Sequence, residues 1–171
     1  MKHKIWGIGL SRTGTTSLSK VLQLAGLSVI HYPSESQIYW GINDGGCDIT
    51  VTAEYKKIDK HFPNSKFILT TRDIDEWVES IVPYLQRKKH WNQSPRQVNI
   101  RQRLYGDAFP NPDQARKAFI RHENDVYRYF EGRNDLLTLN IVGGDTPEKL
   151  WNFLGLDNPP KNFPHENRLK K

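Results

Sequence analysis

Residues 4–18 read Lys4-Ile5-Trp6-Gly7-Ile8-Gly9-Leu10-Ser11-Arg12-Thr13-Gly14-Thr15-Thr16-Ser17-Leu18, and the fold follows from how they divide. Lys4 to Leu10 has the apolar character of a short strand that runs into a glycine-containing turn. From Thr15 to Ala25 the apolar residues Leu18, Val21, Leu22 and Ala25 recur at intervals of three and four, which predicts a helix stopped by Gly26. Between strand and helix, Arg12 and the hydroxyls of Thr13, Thr15, Thr16 and Ser17 crowd into six residues. Free N–H groups at a helix start attract phosphate or sulfate oxygens. Arg12 adds a permanent charge with several donors. An ordinary strand-turn-helix joint needs none of these groups.

Two nucleotide-binding patterns can be set against this loop. Gly9, Gly14 and Thr16 match G-x-x-x-x-G-K-[ST], but Thr15 stands where the lysine belongs. Without that lysine the loop lacks the cation that reaches the β- and γ-phosphates, which argues against ordinary ATPase or GTPase work. In the dinucleotide pattern Gly7 and Gly9 supply two glycines, but Arg12 occupies the place of the third.

Outward from the loop, a strand is predicted over 27–31 and closed by Pro33. Residues 34–46 read mostly as loop, with a helical turn around 37–40. A helix over 51–61, a strand over 66–70 and a helix over 73–89 follow, with Pro83 inside the last as a point to kink or end it. Helices over 95–104 and 113–130, a strand over 136–142 and a helix over 146–153 complete the pattern. Strands separated by helices predict an α/β fold of three layers, α/β/α, around a central, mostly parallel sheet.

The 171 residues predict one domain over 1–171, large enough to bury roughly 70% of its unfolded surface. A single cysteine, Cys47, excludes a disulfide framework and a cysteine-built zinc site, and is expected to be inert. No apolar run reaches the length of a membrane span, and no signal peptide is read at the amino end, so a soluble, cytoplasmic protein is expected. The net charge is +6, and six of the basic residues (Arg87, Lys88, Lys89, Arg96, Arg101 and Arg103) fall between Val82 and Gly106, a stretch with no Asp or Glu. Such a block suits an anion, a nucleic acid or a plain solvated surface. Arg101 and Arg103 are two apart and cannot share a helix face, so at most one of them is expected to touch a bound phosphate. No aromatic stripe supports nucleic acid, which is not expected as a partner.

A second anion-binding candidate is Arg72, directly after the strand over 66–70 and therefore at the sheet edge where ligands of open α/β folds bind. Ser80 lies eight residues on. Arg72 reaches it only by folding back along the helix.

These segments resemble the PAPS-dependent sulfotransferases, in particular the short soluble members with a P-loop-like nucleotide fold. Ser11-Arg12-Thr13-Gly14-Thr15-Thr16-Ser17-Leu18 resembles the family's loop for the 5′-phosphosulfate, and Lys66 to Asp73 with Trp77 and Ser80 resembles its 3′-phosphate motif. The similarity continues through Leu104-Tyr105-Gly106, Arg121 to Val126, Gly144-Asp145, Phe153-Leu154-Gly155 and Phe163-Pro164-His165-Glu166-Asn167. The chain departs from the family pattern at Thr50, where an Asp-x-Pro element has Pro, and at Pro147, where Trp is usual.

The resemblance implies an enzyme that takes 3′-phosphoadenosine 5′-phosphosulfate (PAPS) as donor and releases 3′-phosphoadenosine 5′-phosphate. Arg12, Thr13, Gly14, Thr15, Thr16 and Ser17 would hold the 5′ side, Arg72 and Ser80 the 3′-phosphate. Arg12 would also act in catalysis, on the bridging and leaving oxygens. No metal is implied. The acceptor, a hydroxyl or amine, and the oligomeric state stay open. As the base, Asp48 comes first, His31 second and His122 third. Tyr39 and Trp40, in the aperiodic loop, are candidates to line an acceptor site. The alternatives are a non-catalytic nucleotide- or phosphate-binding protein of the same fold and a small-molecule kinase using ATP.

Overall fold

A computed structural model describes residues 3–91 and 93–164; of the motif residues above, His165, Glu166 and Asn167 lie outside the described residues. In chain order the elements are β1 (Ile5–Gly7), α1 (Thr15–Leu24), β2 (Val29–His31), α2 (Glu35–Tyr39), β3 (Gly45–Cys47), α3 (Ile49–Thr52), α4 (Tyr55–His61), β4 (Lys66–Thr70), α5 (Ile74–Lys88), α6 (Pro95–Tyr105), α7 (Pro112–Tyr129), β5 (Leu136–Leu139) and α8 (Pro147–Leu154). They fall into two compact units, Met1–Thr71 with Asn134–Lys171, and Arg72–Arg133.

The first unit holds the whole sheet. Its five strands lie in the order β2-β3-β1-β4-β5, every neighbouring pair parallel. Because side chains alternate along a strand, Ile5, Cys47 and Ile68 pack on one face with Leu18, Val21 and Leu22 of α1 and Leu150 and Trp151 of α8. Trp6 takes the other face, its ring 5.6 Å from that of Phe62 at the end of α4 and its indole N–H donating to Ser65 Oγ at 3.2 Å. Helices on both faces of a parallel sheet give the three layers that the sequence predicts. Burying side chains such as Ile5, Leu18 and Ile68 contributes about 1.5–3 kcal/mol each.

Four predicted boundaries need correction. The first strand ends at Gly7 and the last at Leu139 rather than Leu10 and Val142. The predicted helix over 51–61 is two helices, α3 and α4, separated at Ala53-Glu54. Residues 34–46 are more ordered than a loop. A capping box, with Ser34 accepting from the Gln37 N–H and Gln37 answering the Ser34 N–H, starts α2, and Gly45-Gly46-Cys47 is a strand inserted between β2 and β1. Glycine has little β propensity, yet a Cβ at Gly45 would stand 1.7 Å from the Ile5 carbonyl oxygen, so closeness to β1 demands it. Pro83 does not end its helix, because it lies on the exposed side while Trp77, Ile81 and Leu85 bury the other.

In the second unit, Asp73 caps α5 by accepting from the Asp75 and Glu76 N–H groups, both at 3.0 Å. Its core centres on Trp77, whose ring is 4.9 Å from Phe119 of α7 and 6.3 Å from Tyr105 of α6. The small residues Ala115 and Ala118 of α7 are also fully buried. Arg116 pairs with Asp75 at the surface. Among the described residues, no helix is long and apolar enough to cross a membrane.

Candidate active site

In a parallel sheet all carboxyl ends point one way, so the loops after β1, β2, β3 and β4 leave from one edge. The loop after β1 is pinned from two sides. Thr52 Oγ1 donates to the Gly9 carbonyl at 2.8 Å, and Thr13 Oγ1 donates to the Leu10 carbonyl at 2.7 Å while lying 2.7 Å from Thr70 Oγ1. A Cβ at Gly9 would stand 1.9 Å from Thr70 Oγ1 and 2.5 Å from the Thr70 carbonyl oxygen, so only glycine fits against the end of β4. Arg12 and Gly14 take positive φ, 73° and 104°. That curls the backbone into α1, whose N-cap, Gly14, offers no side-chain cap. The N–H groups of the first turn therefore point into the loop, a site that fits an anion. Thr15 and Ser17 are buried at that turn and Thr16 is half-buried.

The chief sequence candidates for the base come together here. The β2–β3 register pairs His31 with Cys47, and Asp48 follows at once. His31 Nε2 is 3.3 Å from Asp48 Oδ2 and 3.2 Å from Thr16 Oγ1, at the mouth of the loop. Asp48 Oδ1 accepts from the Ile49 N–H at 2.7 Å and, more weakly, from Ser11 Oγ at 3.4 Å. Asp48 has φ 90° and ψ 178°, a conformation nearly exclusive to glycine. Arg12, Tyr32 and Asp48, which follow three adjacent strands, all have positive φ. Non-glycine residues are held this way at about 1–3 kcal/mol each where geometry matters more than local stability.

Sequence reasoning missed the supporting hydroxyls of Thr52 and Thr70. The signal was present in Thr70-Thr71, polar residues ending an otherwise apolar strand. Thr50, at the position where the family pattern has Pro, buries a hydroxyl with no hydrogen-bond partner among the described residues. Cys47 is fully buried one residue before Asp48, and its thiol is pushed up to about 12, chiefly by that burial.

Other candidates lie elsewhere. Tyr39 stacks near Phe62 and meets His61 edge-on at 5.1 Å, and Trp40 is 83% exposed. The Gly41 and Asn43 carbonyls that follow accept from Lys4 Nζ, ahead of β1, so this aromatic pair belongs to the opposite, amino edge of the sheet. In the second unit, His122 is buried in α7. The Arg72 guanidinium folds back along α5 to Glu76, with Nε and Nη2 each 3.3 Å from Oε2. Ser80, buried, lies one further turn along the same stripe of α5.

A family profile described as "Sulfotransferase domain" matches residues 36–171, beginning after the loop and α1. The chain belongs to this family of transferases. Among solved structures, a sulfotransferase from Alicyclobacillus acidocaldarius superposes with a TM-score of 0.61 at 14% identity, covering 98% of this chain and 86% of that one, which establishes a shared fold. Among curated proteins there is no sequence match.

Proposed function

We propose that this protein, as one sulfotransferase-like domain over 1–171, transfers the sulfuryl group of PAPS to a hydroxyl or amine acceptor. The observation that carries the reading is the His31–Asp48 pair, 3.3 Å apart and bonded to Thr16 at the mouth of an uncapped helix start. A proton acceptor and an anion cradle thus share one edge of the sheet.

The donor supplies an activated sulfuryl group and a phosphate leaving group. The loop N–H groups with Thr15, Thr16 and Ser17 hold its 5′ side. Thr13 and Gly14 fix the shape of the loop. Arg12 offsets the charge that grows on the oxygen between sulfur and phosphorus as that bond breaks. Arg72 and Ser80 bind the 3′-phosphate, for which Arg72 must exchange Glu76. With His31 Nε2–H donated to Asp48, Nδ1 keeps the lone pair and takes the proton of the acceptor as its oxygen or nitrogen bonds to sulfur. The Asp48 carboxylate stabilises the resulting imidazolium.

The test is incubation of the full chain with ³⁵S-labelled PAPS and a panel of hydroxyl and amine acceptors. Labelled product is expected, and forms more slowly when Arg12 is replaced. Binding of adenosine 3′,5′-bisphosphate without any transfer would instead identify a non-catalytic binder. Stabilisation by ATP with Mg²⁺ but not by the bisphosphate would identify a kinase.

A further inference from the structure

Arg101 is the only lysine or arginine among the described residues that is fully buried, at 4% exposure. A guanidinium out of water is costly unless a carboxylate faces it. In the same unit Arg72 has Glu76 and Arg116 has Asp75. Arg101 has neither kind of partner: its Nη1 donates to the neutral Gln93 Oε1 at 2.7 Å, and no carboxylate of the described residues pairs with it. Gln93 aims the fork without cancelling its charge. The neighbouring Arg103, by contrast, is exposed.

The position of Arg101 in the unit gives that charge a use. Arg101 and Tyr105 are one turn apart on the buried face of α6, and the Tyr105 ring meets Trp77 of α5 at 6.3 Å. Arg101 stands one turn before Tyr105 and the buried Ser80 one turn after Trp77, so both lie one turn from the same ring contact.

We propose that Arg101 is a second cation of the anion site on α5, recognising with Arg72 and Ser80 the phosphate monoester on the ribose of the donor. This rests on the donor reading above. A planar fork presented by a neutral amide suits bidentate contact with phosphate oxygens.

Titration calorimetry on the full chain tests it, using adenosine 3′,5′-bisphosphate and adenosine 5′-monophosphate against wild type, Arg101→Met and Arg101→Lys. The methionine variant is expected to bind the bisphosphate at least tenfold more weakly and the monophosphate within about twofold of wild type. The lysine variant, which keeps the charge and loses the fork, should fall between. Equal loss for both nucleotides, the mark of a structural role only, or no loss for either would overturn the proposal. If the methionine variant does not fold, the lysine variant carries the comparison, with a selective loss of about threefold or more expected and its absence overturning the assignment. If wild type binds the two nucleotides equally, the donor reading fails, and inorganic sulfate decides for Arg101. A rise of the unfolding midpoint with sulfate that Arg101→Met abolishes supports an anion site there, and an equal rise in both proteins refutes it.

Discussion

Replacing Asp48 by asparagine removes one charge and little else. Asparagine has the size and shape of the aspartate already held in this conformation, and its side-chain oxygen can still accept from the Ile49 N–H now 2.7 Å from Oδ1. What changes is the atom facing His31, since an amide N–H₂ takes the place of Oδ2. Nε2 must then accept instead of donate, and an imidazolium has no counter-charge. At 3.3 Å the lost attraction is about 5 kcal/mol at an effective dielectric of about 20 and about 1.3 kcal/mol in bulk water. Asp48 is 13% and His31 33% exposed, which sets the value between these limits. A loss of about 2–3 kcal/mol corresponds to a roughly 30- to 150-fold fall in kcat/KM for the acceptor. The assay is transfer of labelled sulfate to the best acceptor found in the panel, with calorimetry of adenosine 3′,5′-bisphosphate alongside. Donor affinity should move by less than about threefold, and stability by less than about 1 kcal/mol. A transfer rate within about threefold of wild type, or a loss fully accounted for by weaker donor binding, would refute the role given to the pair.

Four further outcomes follow from the same geometry. Arg12→Ala should lower kcat more than donor affinity, because the charge it offsets grows as the bond to the leaving phosphate breaks; steady-state kinetics beside calorimetry separates the two. Gly9→Ala should lower the unfolding midpoint sharply or prevent folding, since its Cβ would meet backbone at 2.5 Å as well as the Thr70 hydroxyl, and a normal melting curve would contradict the packing described. Thr50→Val should stabilise the protein by about 1 kcal/mol in chemical denaturation by removing a buried hydroxyl that has no partner among the described residues. Cys47 should resist iodoacetamide in the folded protein and react on unfolding. Because folding raises its pKa, its contribution to stability is full below the ordinary thiol value of about 8.5 and is lost as pH climbs toward about 12, so Cys47→Ala should flatten the alkaline limb of a stability–pH curve.

Local order was legible wherever a short stretch carries its own signal. The first helix begins at Thr15 as expected, β4 covers Lys66–Thr70 as expected, and Asp73 caps α5. Apolar periodicity and capping residues act within a few positions of chain, so no distant partner is needed to read them. The turn between β1 and α1, with Gly14 ahead of the helix start at Thr15, was likewise visible in outline.

Tertiary structure alone decided what depends on strands meeting. Gly45-Gly46-Cys47 is a strand because β1 and β2 close on it from both sides, not through any preference of its own. His31 and Asp48, read from sequence as rival bases, are partners. They are seventeen positions apart, and parallel register, set by hydrogen bonds between separate segments, brings them within 3.3 Å. The same holds for Arg101 and Arg103: sequence says that they point apart, and only packing says which is buried. Composition along a chain fixes local preference, but distance and burial are properties of pairs, and pairs exist only once the chain has folded.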